Sequence, residues 1–79
     1  MTEQEVMQRL NIIFRKVFDD DSITIGRATT AKDIDDWDSM EHINLMAAVE
    51  RAFKVRFSMK EVSTMKNVGE LADIIVSRA

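Results

Sequence analysis

The stretch Asp38-Ser39-Met40-Glu41-His42 gathers the side chains of this chain that could do chemistry. A serine hydroxyl becomes a nucleophile when a base removes its proton, and His42, the one histidine present, lies three residues on. On a helix start, however, successive side chains diverge by about 100°, so Asp38, Ser39 and His42 form no relay. His42 lacks a second histidine or any cysteine to share a metal, which leaves it a structural role. The acids Asp19, Asp20 and Asp21 lack the spacing and terminal glutamate of a calcium loop and read as a solvated helix end. No catalytic residue and no metal site is expected.

What remains is Ser39 as an exposed hydroxyl in a first helical turn. Unpaired N–H groups and the helix dipole favour an anion there, so the position suits a covalently held phosphate. The same residues also read as a plain helix start: Asp38 as N-cap with Glu41 three residues on is the spacing of a capping box. The rest of the chain has to decide between the two.

The 79 residues, 46% hydrophobic and 32% charged, are enough for one small globular domain spanning 1–79 and for no second one. Without cysteine the fold must rest on apolar packing. A net charge of −3 argues against non-specific nucleic-acid binding, which needs clustered Lys and Arg, and favours partners with basic surfaces. The longest apolar run, Leu45 to Val49, is far too short to span a bilayer, and no targeting segment is evident at the start. A cytoplasmic protein is expected.

Thr2 and Glu5 form a capping box, and Val6, Leu10, Ile13, Phe14 and Val17 recur at helical spacing behind it. A first helix is predicted to end near Phe18, with Arg9, Arg15 and Lys16 on its polar side. From Asp19 to Trp37 the periodicity disappears. Ile23, Ile25, Ile34 and Trp37 are frequent enough to pin this long loop onto the helices, and loops of such length tend to be functional. In the second helix Leu45, Ala48, Val49, Ala52 and Phe53 share a core face, whereas Met40, Ile43 and Ala47 make a second apolar stripe on the other side. An exposed apolar stripe marks a contact surface. Lys54 to Phe57 reads as an extended connection. Ser58 with Glu61 and Asn67 with Glu70 supply two more capping boxes, opening a short helix and a last one with Val68, Leu71, Ala72 and Ile75 at core positions. The expected fold is all-α: a small four-helix bundle, three main helices and one short one, with a long structured loop between the first two.

Asp38-Ser39-Met40, continued by Glu41-His42-Ile43-Asn44-Leu45 and closed by Glu50-Arg51-Ala52-Phe53, resembles the second-helix motif of acyl carrier proteins and of the related peptidyl and aminoacyl carriers. Helix order, loop position and length are similar as well, so the resemblance extends over essentially the whole chain. It implies a non-catalytic carrier whose Ser39 receives 4′-phosphopantetheine from coenzyme A through a separate phosphopantetheinyl transferase. It implies further partners: an acyl- or aminoacyl-loading ligase or transferase, and a downstream synthase or transferase. The carrier would act as a monomer, without nucleic acid or membrane insertion. The arm would supply the thiol that the chain lacks. Docking is expected through Asp35, Asp36, Asp38, Met40, Glu41, Ile43, Asn44, Ala47 and Glu50.

The chain departs from the family pattern in places. Many carriers have Gly-x-Asp-Ser-Leu, where this one has Asp36-Trp37-Asp38-Ser39-Met40. Asn44 stands where many fatty-acid-synthase carriers have an acid, and Arg51 interrupts the acidic run. A less negative recognition face implies a specialised carrier of a dedicated pathway, fatty acid or secondary metabolite, rather than the housekeeping one. Two alternatives stand beside this: an aminoacyl or peptidyl carrier, and a cofactor-free interaction module that binds a partner helix on the Met40/Ile43/Ala47 face.

Overall fold

Helix starts organise the computed structural model, which describes all 79 residues. Thr2 and Glu5 close their capping box, side chain to backbone in both directions, and helix α1 runs from Glu3 to Val17. Its last turn is closed by Asp19 in the left-handed conformation (φ 51°) and by the Asp20 amide donating to the Arg15 carbonyl at 3.0 Å. Asp20 then accepts from the Ser22 amide and hydroxyl, which holds its carboxyl below the usual carboxylate range and starts the loop with a turn. Helix α2 spans Ser39–Phe53, α3 Met59–Thr64 and α4 Val68–Arg78. The fold is all-α with no strand, as the periodicity predicts.

Two of the four predicted capping boxes are only half made. Asp38 accepts from the Glu41 amide at 2.9 Å, but Glu41 turns forward and accepts from the Asn44 side chain at 3.1 Å. Asn67 likewise caps the Glu70 amide at 2.9 Å, while Glu70 reaches past it to the Lys66 amide at 3.0 Å. The box at Ser58 and Glu61 is complete. A further complete one, Thr30 with Asp33, opens a 3-10 turn over Ala31–Asp33 that the loop composition did not reveal.

The predicted stripes meet in one core. Val6, Leu10 and Phe14 of α1, Leu45, Val49 and Phe53 of α2, and Val68, Leu71, Ala72 and Ile75 of α4 are buried, and α1 packs against both α2 and α4. Met46 is buried too, although it belongs to neither stripe assigned from the sequence. The long loop is ordered through its apolar residues: Ile25 is buried, and Ile23, Ile34 and Trp37 pack against the core. Burying each such side chain contributes about 1.5–3 kcal/mol before ordering costs.

Charged residues assigned to the polar side of α1 hold the loop and α2 in place. Arg15 donates to the Ile23 carbonyl at 2.7 Å, and Asn11 accepts from the Ile25 amide at 2.8 Å. Arg9 donates to the Ala52 carbonyl at 2.7 Å with its guanidinium 4.5 Å from the centre of the Phe53 ring. Thus α1 is polar outward only in part. The loop also meets the start of α4: the Val68 and Gly69 amides donate to the carbonyls of Thr29 and Arg27, both at 2.9 Å, satisfying donors that a helix start leaves open. Arg27 continues the tie by pairing with Glu3 of α1 and, at 3.0 Å, with Asp73 of α4.

Candidate functional site

Ser39 is the first residue of α2, and it is exposed. Two features of the chain put it there. Asp38, in extended conformation, caps the helix through the Glu41 amide and begins its ladder by accepting the His42 amide at 2.9 Å. Trp37, directly before, is driven into the core side: its ring meets Phe14 edge-on at 5.2 Å and lies 6.2 Å from Phe18. The half-buried Trp37, packed against the core, and the capping Asp38 therefore fix the chain on one side of Ser39, and the helix fixes it on the other.

His42 completes this arrangement. Its ring stacks on Trp37, with centroids 5.9 Å apart and planes at 27°. Nδ1 accepts from Trp37 Nε1 at 3.0 Å, so Nε2 carries the proton and donates to the Val62 carbonyl at 2.9 Å. Both nitrogens are committed. The single histidine therefore ties loop, α2 and α3 together and has no lone pair with which to take a proton from Ser39. That agrees with its reading as structural, and no cluster of three His, Cys, Asp or Glu side chains is placed to hold a metal ion.

Ser39 lines a hollow of about 420 Å³ between the end of the loop, α2 and the segment from α3 to α4. Trp37, His42, Val62 and Met65 supply apolar wall, and Asp38 and Lys66 are its charged members. At the helix start the amides of Ser39 and Met40 have no hydrogen-bond partner, since Asp38 takes only those of Glu41 and His42. An anionic group on Oγ would meet two unbonded donors at the positive end of a 15-residue helix. The residues thus fit a phosphodiester, by the chemistry of their free donors.

The residues expected to dock partners divide into three sets. Met40 and Ile43 are 73% and 65% exposed, and Ala47 is exposed beside them, so the second apolar stripe has no cover. Asp35, Asp36 and Asn44 are exposed with it, whereas Asp38 is occupied as cap and Glu41 is half-buried, holding Asn44. Glu50 differs from the rest. It is half-buried and accepts from the Phe57 amide at 2.8 Å, so its carboxylate fastens the connection after α2 rather than standing free on the surface. The pattern of α2 alone gave no sign of this, because the partner is a backbone amide beyond the helix end.

On the other side of the hollow, α3 presents Met59, 82% exposed, and the exposed Lys60. Its one acid, Glu61, is engaged by the guanidinium of Arg78, which also donates to the Arg56 carbonyl at 2.8 Å. A helix of 6 residues has too little periodicity to reveal which face is open.

Comparison with known proteins agrees with this geometry. The solution NMR structure of a holo acyl carrier protein from Geobacter metallireducens is similar to the chain with a TM-score of 0.87 and 46% sequence identity, over 92% of this chain and 84% of that one. No family model and no curated protein sequence matches it.

Proposed function

Since the chain belongs to the acyl carrier protein family, whose members are non-catalytic carriers working through a 4′-phosphopantetheine arm, we propose that Ser39 is the residue that bears the arm. The observation that carries this is the Ser39 hydroxyl at the exposed start of α2, beside two amide donors that nothing else uses. When bound, the arm supplies a thiol, on which acyl groups ride as thioesters. The chain's own part is attachment and presentation. Asp38 and Trp37 hold the attachment point still, and His42 keeps α3 beside it. The proton of Oγ leaves to a base on the transferase, because the only imidazole of this chain is fully bonded.

The uncovered stripe of Met40, Ile43 and Ala47, flanked by Asp35, Asp36, Asp38, Glu41 and Asn44, is the face on which partners dock. These are a phosphopantetheinyl transferase, a loading ligase or transferase, and a downstream synthase. The carrier serves a dedicated pathway in the cytoplasm. Support for that comes from charge: Asn44 and Arg51 dilute the acids of α2, and α3 offers Met59 and Lys60 while its only acid is held by Arg78. Enzymes that find their carrier through a strongly negative face would be steered less well. Loading and elongation at housekeeping rates by general fatty-acid synthesis enzymes would overturn this assignment. No helix is long and apolar enough to cross a membrane.

Attachment itself is tested by mass. The protein and its Ser39→Ala variant are incubated with coenzyme A and a promiscuous phosphopantetheinyl transferase, then weighed. The wild type is expected to gain one phosphopantetheinyl group and the variant none. A wild type that never gains mass would favour the cofactor-free interaction module instead.

A further inference from the structure

A phosphodiester at Ser39 would enter a negative neighbourhood: Asp35, Asp36, Asp38 and Glu41 all lie within a few residues of it. Two amide donors and the helix dipole oppose that charge only in part. The chain places one cation where it could complete the balance. Lys66 is the only lysine or arginine lining the hollow that Ser39 also lines. Its ammonium makes no ion pair and no hydrogen bond in the protein, while the other candidates are spent or elsewhere: Arg27 and Arg78 are ion-paired, and Arg9 and Arg15 are bonded to backbone carbonyls.

Its backbone, by contrast, is fixed. The Lys66 amide donates to Glu70 at 3.0 Å, the preceding Met65 packs against the core, and the following Asn67 caps α4. A flexible stem therefore rises from a rigid base at the rim of the hollow, with a free charge at its tip. The reach of Glu70 to this amide, one residue beyond the expected box, is what holds the base.

We propose that Lys66 is the counter-ion of the phosphodiester on Ser39, a positioning residue whose ammonium meets the phosphate oxygens across the hollow. Together with the Ser39 and Met40 amides it sets the direction in which the arm leaves the protein. This rests on attachment at Ser39, and the test separates the two.

Wild type, Lys66→Gln, Lys66→Arg and Lys60→Gln are each converted with coenzyme A and a transferase. Mass reports attachment, and the ³¹P spectrum of each product is recorded at low salt and at about 1 M salt, where charge interactions are screened beyond ~3 Å. The Lys66→Gln resonance is expected to be displaced from that of the wild type at low salt and to coincide with it at high salt. Lys66→Arg should keep the wild-type position, and so should Lys60→Gln, whose cation does not line the hollow. Lys66 is exposed, so its replacement leaves the core intact, which circular dichroism checks. A Lys66→Gln spectrum that overlays the wild type at low salt, with the mass gain present, overturns the counter-ion while leaving attachment standing. Absence of the mass gain overturns both.

Discussion

Replacing His42 by alanine should loosen α3 and lower stability by an amount that the geometry allows to be worked out. The substitution removes the bond from Trp37 Nε1 at 3.0 Å, the bond to the Val62 carbonyl at 2.9 Å and the stacking on Trp37. Each hydrogen bond contributes about 0.5–1.5 kcal/mol net and the stacked pair about 0.5–1.5 kcal/mol. Because the ring is half-buried, the lower part of each range applies, and the sum is about 2 kcal/mol. For a domain of this size that corresponds to a fall in Tm of about 8–16 °C. The companion variant His42→Phe keeps a ring against Trp37 but loses both bonds, and should show more than half of the fall. Thermal denaturation followed by circular dichroism gives the total. Hydrogen exchange gives its location: amides from Val62 to Met65 should lose protection ahead of those of Leu71 to Ile75. A fall of less than about 3 °C, or equal loss of protection in α3 and α4, would refute the reasoning that this ring fastens α3.

Three further perturbations follow from single contacts. Lys54 ends α2 in the left-handed conformation (φ 56°), which costs a side-chain-bearing residue about 1–2 kcal/mol. Lys54→Gly should therefore raise stability by about 0.5–1 kcal/mol, seen as a higher urea midpoint at unchanged slope. Gly69 lies in α4 where a Cβ would stand 3.0 Å from the Arg27 carbonyl oxygen. Gly69→Ala gains about 1 kcal/mol of helix propensity but meets backbone that is itself hydrogen-bonded to residue 69, so a net loss of about 1 kcal/mol is expected by urea titration. The Arg78 guanidinium, aided by the Ser58 amide, holds the Glu61 carboxyl from its ordinary 4.5 down to about 2. A depressed pKa means that the folded state binds the proton later than the unfolded one, so this contribution is present above pH 4.5 and disappears as pH falls towards about 2. The Tm difference between wild type and Glu61→Gln should shrink across that window, and a constant gap would count against the pair.

The sequence by itself determined whatever depends on neighbours three or four residues away. Complete capping boxes at Thr2 and Ser58, the caps Asp38 and Asn67, and the stripes that became the core are all relations within one or two helical turns, and the helical repeat fixes them wherever the helix lies. The position of Ser39 at the first residue of α2 follows from the same local rules, as does the uncovered stripe of Met40, Ile43 and Ala47.

Only the tertiary structure decided which charged residues are free. Arg9 is spent on a carbonyl 43 residues away, and Arg27 lies between helices whose partner acids, Glu3 and Asp73, are 24 and 46 residues from it. Glu50 faces the Phe57 amide, His42 reaches the Val62 carbonyl, and Lys66 comes to the rim of the hollow at Ser39. Each of these depends on how the helices cross and on the path of the chain between them. Those are set by the packing of the whole core, and a spacing in the sequence does not encode them.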